Sequence, residues 1–140
     1  MQNLIIEASN TSPYIIFDKQ NNKFKIEGKS VVEESNQFFE PAIKWLENYC
    51  LSPNLVTHFE FNMDYFNISS SKNILAILYK LNDLKKSGNE VKITWYYGDD
   101  EMYEFGEDFA FLVKIPFHFM EDSNKKNTVS VFANNDYKSK

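Results

Sequence analysis

Between residues 64 and 72 the chain reads Asp-Tyr-Phe-Asn-Ile-Ser-Ser-Ser-Lys, so three adjacent hydroxyls follow an aromatic run. Ser69, Ser70 and Ser71 stand where period-two alternation gives way to helical spacing, beside the free N–H groups that open a helix. Those groups and the positive end of the helix dipole favour negative charge. A phosphate added there brings roughly −1.5 to −2 charge units and three acceptor oxygens in one covalent event. Lys72 can steady it by a charge-assisted hydrogen bond, or simply stand solvated in the first helical turn. Serine is also a preferred helix cap, and capping is the plainer use of the same residues.

Other chemistry is hard to assemble. His58 and His118 each lie on an alternating segment, and Cys50 lies late in an amphipathic one. None of the three has the short paired spacing of a metal site. Four glycines in the whole chain form no phosphate-binding loop and no nucleophile elbow. The acidic run Asp99-Asp100-Glu101 with Glu104, Glu107 and Asp108 suggests a cation site or a solvated helix face. The face is favoured, because the oxygen-ligand loop spacing and its turn glycine are absent. The expectation is a protein that is not an enzyme, with no catalytic residue, no metal and no cofactor.

At 140 residues, 43% of them hydrophobic and 16% aromatic, the chain can bury one packed core. A net charge of −5 argues against nucleic acid, whose phosphates need a basic surface. No apolar run approaches the roughly 20 residues that span a bilayer, and the N-terminus lacks a signal segment. A membrane role is therefore not expected. The lone cysteine suits a reducing cytoplasm, where the protein is expected to reside.

The elements that hold the serines follow from periodicity. Leu4-Ile5-Ile6 reads as a first strand, and Tyr14–Phe17 and Lys23–Glu27 read as a hairpin ended by Gly28. Residues 34–50 carry a helical apolar stripe, with Ser35 or Asn36 available as cap. Pro41 requires a helix starting near Glu40, or first turns that are bent. From Leu55 to Phe66 the period is two: Phe59, Phe61, Met63 and Tyr65 share one face, and His58, Glu60, Asn62 and Asp64 the other. A helix over 72–86 follows, stopped by Gly88. Val91–Tyr97 is the next strand, and an acidic start at Asp99 opens a helix through Leu112. Gly106 within that helix implies a close backbone approach.

Residues 115–120 form a last strand whose Pro116 suggests an edge. Residues 128–132 can add one short strand, and 133–140 read as a frayed tail. The order β-β-β-α-β-α-β-α-β predicts an α/β domain over 1–121, with a polar extension over 122–140. Its mixed sheet carries helices mainly on one face, and strand 55–66, helix 72–86 and strand 91–97 make a right-handed βαβ unit. Tyr14, Tyr65, Phe66, Tyr96, Tyr97 and Tyr103 are candidate contact anchors or core residues.

Several segments together resemble the SiaC family of bacterial regulatory phosphoproteins, whose fold is similar to STAS domains. They are Thr11–Ile15, Phe38–Leu46, Tyr65–Lys72, Gly88–Val91, Trp95–Tyr97, Asp99–Met102, Gly106–Phe109 and Ile115–Phe117, in order over about 4–121. The resemblance implies a STAS-like, non-catalytic switch in cyclic-di-GMP and biofilm signalling. A kinase phosphorylates it on a hydroxyl at the strand–helix junction, and a PP2C-like phosphatase reverses this. The unphosphorylated form binds a diguanylate cyclase. The family acceptor is a threonine in the motif Asn-Thr-Ser-Ser, and here that position is Ile68, which has no hydroxyl. Three readings follow: the acceptor has moved to Ser69 or Ser70, the switch is lost, or the partner kinase is absent. Asp64, Tyr65, Phe66, Asn67, Ser71 and Lys72 make up the expected partner-binding surface. The alternative is a phosphorylation-independent structural module that forms a homo-oligomer.

Overall fold

A computed structural model describes residues 1–125, so the segments read at 128–132 and 133–140 lie outside the described residues. The sheet has six strands in spatial order β1-β2-β3-β4-β5-β6. These are β1 (Leu4–Ile6), β2 (Tyr14–Asp18), β3 (Lys23–Ser30), β4 (Val56–Phe66), β5 (Glu90–Tyr97) and β6 (Phe117–Glu121). The first three pair antiparallel, and β3 through β6 run parallel. Between them lie α1 (Ser35–Tyr49), α2 (Ile68–Lys86) and α3 (Asp100–Val113).

One sheet face supplies Ile15, Phe17, Phe24, Ile26, Phe59, Phe61, Met63, Ile93 and Trp95 to the core. The helices close it with Phe39, Leu46, Ile74, Ile77, Leu81 and Phe109. His58, Lys92 and His118 alternate with these residues on the opposite, open face and are exposed. The single-sided layering and the expected strand order hold. The edge position of β6 holds as well, with Pro116 just before the strand begins.

Local chemistry explains several boundaries. Gly88, at φ 98°, follows α2 while its N–H and that of Asn89 donate to the carbonyls of Lys85 and Leu84. This left-handed terminator satisfies carbonyls the helix leaves open. Asp99 caps α3, its carboxylate accepting from the Met102 N–H at 2.8 Å. A Cβ on Gly106 would lie 2.5 Å from Trp95 Cδ1 and 2.7 Å from Phe119 Cε1, so the expected close approach is real.

Four expectations change. Strand β3 does not stop at Gly28 but bends there, at φ 110°, and continues to Ser30. Helix α1 starts at Ser35 and runs through exposed Pro41, without a side-chain cap. Helix α2 opens at Ile68, a full turn before residue 72. Finally, Gly28 pairs with Met63 but Lys29 pairs with Tyr65, which leaves Asp64 as an extra residue in β4. This bulge reverses the alternation. Phe66 turns into the core at 6% exposure, and Tyr65 turns out to solvent at 53%.

Candidate functional site

The junction between β4 and α2 is held by Asn67. Its backbone is extended (φ −83°, ψ 174°), and its side-chain oxygen accepts from the Ser70 N–H at 2.9 Å. Asparagine is therefore the cap, and the three serines occupy the first turn itself. The Asn67 backbone N–H donates to Ser30 at 3.0 Å, and its side-chain amide donates to the Val32 carbonyl at 3.2 Å. One residue thus ties the start of α2 to the end of β3 and to the loop before α1.

The serines part company at once. Ser70 is fully buried, its hydroxyl 2.7 Å from that of Ser30. A phosphate has no room there, so the expectation of Ser70 as an acceptor is corrected by helix rotation. Ser69 is exposed, and its hydroxyl donates to the Asn67 side-chain oxygen at 3.2 Å. Ser71 is half-buried and donates to the Ile68 carbonyl at 2.6 Å. Ile68, the first helical residue, is 79% exposed, and exposed Lys72 lies one turn beyond it.

Phe66 is not at the surface: its ring packs on Phe105 and Phe109, with centroids 5.0 and 6.0 Å away, and so fixes α3 against the junction. Asp64 is exposed and ion-paired with Lys125 at 2.6 Å. The junction therefore presents Asp64, Tyr65, Ile68, Ser69 and Lys72 outward.

Behind this surface lies a polar network that the sequence reading missed. The buried Asn73 amide donates to Ser35 at 2.6 Å, to Asn36 at 3.0 Å and to the Ser69 carbonyl at 3.1 Å. Ser35 and Asn36, expected as caps of α1, serve instead to hold α2. A signal was available, since Ser70 and Asn73 fall on the core-facing side of α2 when its helical period is extended backward. A groove of ≈ 650 Å³ adjoins the network, lined by Thr11, Val31, Val32, Glu33, Glu34 and Phe38. Asn67 reaches it through the Val32 carbonyl.

Reactive side chains lie elsewhere. His58 and His118 sit toward the N-terminal ends of β4 and β6, whereas the junction is at the C-terminal end of β4. Cys50 is half-buried at the end of α1, where burial pushes its thiol pKa up and keeps it a poor nucleophile. The remaining candidate anchors are half-buried, and two of them pack against other rings. Tyr97 and Tyr103 pack at 5.0 Å, Tyr103 also meets Phe119 at 4.8 Å, and Tyr14 is half-buried on β2. The Tyr96 phenol is pushed up first by burial and then by the Glu60 carboxylate beside it. Among the described residues no group of three or more His, Cys, Asp or Glu is placed to hold a metal ion. No helix among them is long and apolar enough to cross a membrane. The geometry suits contact with another macromolecule.

Comparison with known proteins agrees with this picture. An uncharacterized protein of Pseudomonas aeruginosa (strain UCBPP-PA14) is 27% identical over 119 residues, covering 84% of this chain and 94% of that protein. The crystal structure of apo-SiaC from Pseudomonas aeruginosa superposes with a TM-score of 0.80 at 27% identity, over 86% of this chain and 99% of that one. SiaC in complex with the diguanylate cyclase SiaD, which it activates, superposes with a TM-score of 0.79 at 26% identity, over 85% and 99%. A family profile described as SiaC family regulatory phosphoprotein matches residues 6–122, and the chain belongs to that family.

Proposed function

We propose that this chain is a non-catalytic, cytoplasmic signalling adaptor that binds and activates a diguanylate cyclase through the β4–α2 junction, and that phosphorylation of Ser69 releases the cyclase. The observation that carries the reading is the exposure of Tyr65 and Ile68 on either side of a rigid Asn67 cap. Fully burying an isoleucine side chain against a partner gives roughly 1.5–3 kcal/mol, and tyrosine is enriched among contact hot spots. The likeness to SiaC, a diguanylate cyclase activator, supplies the class of partner.

Ser69 is the acceptor in this reading because it is the hydroxyl next to Ile68 that reaches solvent, with Lys72 three residues on. A phosphate there gains the helix N-terminus and Lys72 as partners, and it places about two negative charges in an apolar contact patch. A partner kinase adds it and a PP2C-like phosphatase removes it. Nothing in this role calls for a cofactor, nucleic acid or a membrane.

The test is calorimetric binding and cyclic-di-GMP synthesis with the diguanylate cyclases of the native cell. Wild-type protein binds one of them and raises its output, while Ile68→Glu and Ser69→Glu each weaken binding at least tenfold. Phosphopeptide mass spectrometry finds phosphate on Ser69 and none on Ser70. Unchanged cyclase output, or full binding by Ile68→Glu, overturns the reading. A phosphate-insensitive oligomer that binds no cyclase would establish a structural module in its place.

A further inference from the structure

We propose that residues 122–125 form a strap that closes over the edge of the docking site and competes with the partner for Asp64. The inference rests on the reading of the junction as the docking surface and adds a regulatory element to it. The backbone N–H of Asp122 donates to the Tyr97 carbonyl at 2.8 Å, pinning the start of the strap where β5 ends. The Asp122 carboxylate then accepts from the N–H groups of Asn124 and Lys125, at 3.2 and 3.4 Å, and turns the chain back. From that turn Lys125 reaches β4. Its ammonium pairs with Asp64 at 2.6 Å and donates to the Asn62 carbonyl at 3.1 Å.

Three features make this contact more than a chance surface pair. The Lys125 side chain is only 19% exposed, so most of its length lies against the protein. Its target is the bulged residue of β4, immediately before exposed Tyr65, so a partner that covers Tyr65 meets the strap. The same ammonium also donates to the Asn62 carbonyl, so two contacts to β4 hold it where a simple surface pair has one.

The closed state is also poised to open. Asn62, whose backbone carbonyl Lys125 meets, is only 8% exposed, and among the described residues its side-chain oxygen has no hydrogen-bond donor. An acceptor buried without a partner penalises the arrangement that buries it. Lifting the strap admits water to Asn62 and frees Asp64. Where closed and open forms coexist, the apparent affinity for a partner falls by the open fraction.

The experiment uses the full chain in two arms. In the first, acetylation of lysines by an N-hydroxysuccinimide ester is followed by mass spectrometry without any partner. Lys125 reacts at least threefold more slowly than exposed Lys72 and Lys92, and Asp64→Asn removes the difference. In the second, Lys125→Ala and Ile68→Glu are titrated against the diguanylate cyclase. Lys125→Ala binds about three- to tenfold more tightly than wild type, as expected where the open fraction is about a third to a tenth. Labelling of Lys125 as fast as Lys72 overturns the strap. So does binding that Ile68→Glu abolishes but Lys125→Ala leaves unchanged or weakens, and in that case the docking reading stands. Binding indifferent to Ile68→Glu overturns the docking reading, and the strap's role falls with it.

Discussion

Ser70→Ala separates the structural serine of the junction from the exposed one. The Ser70 and Ser30 hydroxyls are both fully buried, 2.7 Å apart, and join the first turn of α2 to the end of β3. Truncating Ser70 leaves the Ser30 hydroxyl buried without a partner, at a cost of about 1–3 kcal/mol. Alanine is the better helix former by roughly 0.5 kcal/mol, which offsets part of the loss. The net expectation is a destabilisation of about 1–2 kcal/mol, or a Tm lower by roughly 3–8 °C. Ser30→Ala should behave alike. The double variant should lose at least about 1 kcal/mol less than the sum of the singles, since no orphaned hydroxyl then remains. Ser69→Ala, at an exposed site, should stay within about 0.5 kcal/mol of wild type. Urea unfolding of the four variants, followed by tryptophan fluorescence, gives the cycle. Additive losses, or a Ser70→Ala protein as stable as wild type, would refute the assignment of Ser70 to the interior.

Two further outcomes test the packing and the electrostatics. Gly106→Ala places a methyl 2.5 Å from the Trp95 ring, which cannot swing away because its N–H donates to the Met102 carbonyl at 2.9 Å. Overpacking costs about 1–3 kcal/mol against a helix gain of about 1 kcal/mol, so a net loss of up to about 2 kcal/mol is expected in urea; a gain would show that the ring yields. Asp18 is held below the usual carboxylate range, first by the Asn21 side chain and then by the Asn21 backbone N–H. Its unfolded form binds protons more readily than its native form. Its stabilisation is therefore present above the ordinary value of ~3.9 and is lost as pH falls through the depressed native one. The stability gap between wild type and Asp18→Asn should narrow through that window, and a gap independent of pH would exclude the effect.

The parts of the fold that sequence made legible are those built from local chemistry. The hairpin of β2 and β3, the left-handed stop at Gly88, the Asp99 cap and the tight approach at Gly106 each follow from a few residues and their neighbours. The start of α2 was hidden because its first apolar core residue is Ile74, so the turn from Ile68 to Asn73 carries no hydrophobic period. What that turn buries is polar. Ser70 and Asn73 face inward because Ser30, Ser35 and Asn36 meet them, and those partners lie some 37 to 40 residues away in sequence. Polar residues that satisfy one another across such separations look like surface residues until the fold brings them together.

The bulge at Asp64 is the deeper case, because it is invisible to period two and yet decides what the junction offers. Had β4 kept its alternation, Tyr65 would have joined Phe61 and Met63 in the core, and Phe66 would have faced solvent. One extra residue, opposite the bend at Gly28, exchanges them. Phe66 then anchors α3 through Phe105 and Phe109, and Tyr65 becomes available beside Ile68. The same residue leaves the Asp64 carboxylate pointing to where Lys125 can reach it. A parallel pair of strands gains nothing in hydrogen bonding from such an insertion, which disrupts the ladder locally. Its effect is to turn the end of a buried strand into a presented surface while the helix behind it stays locked by buried polar contacts.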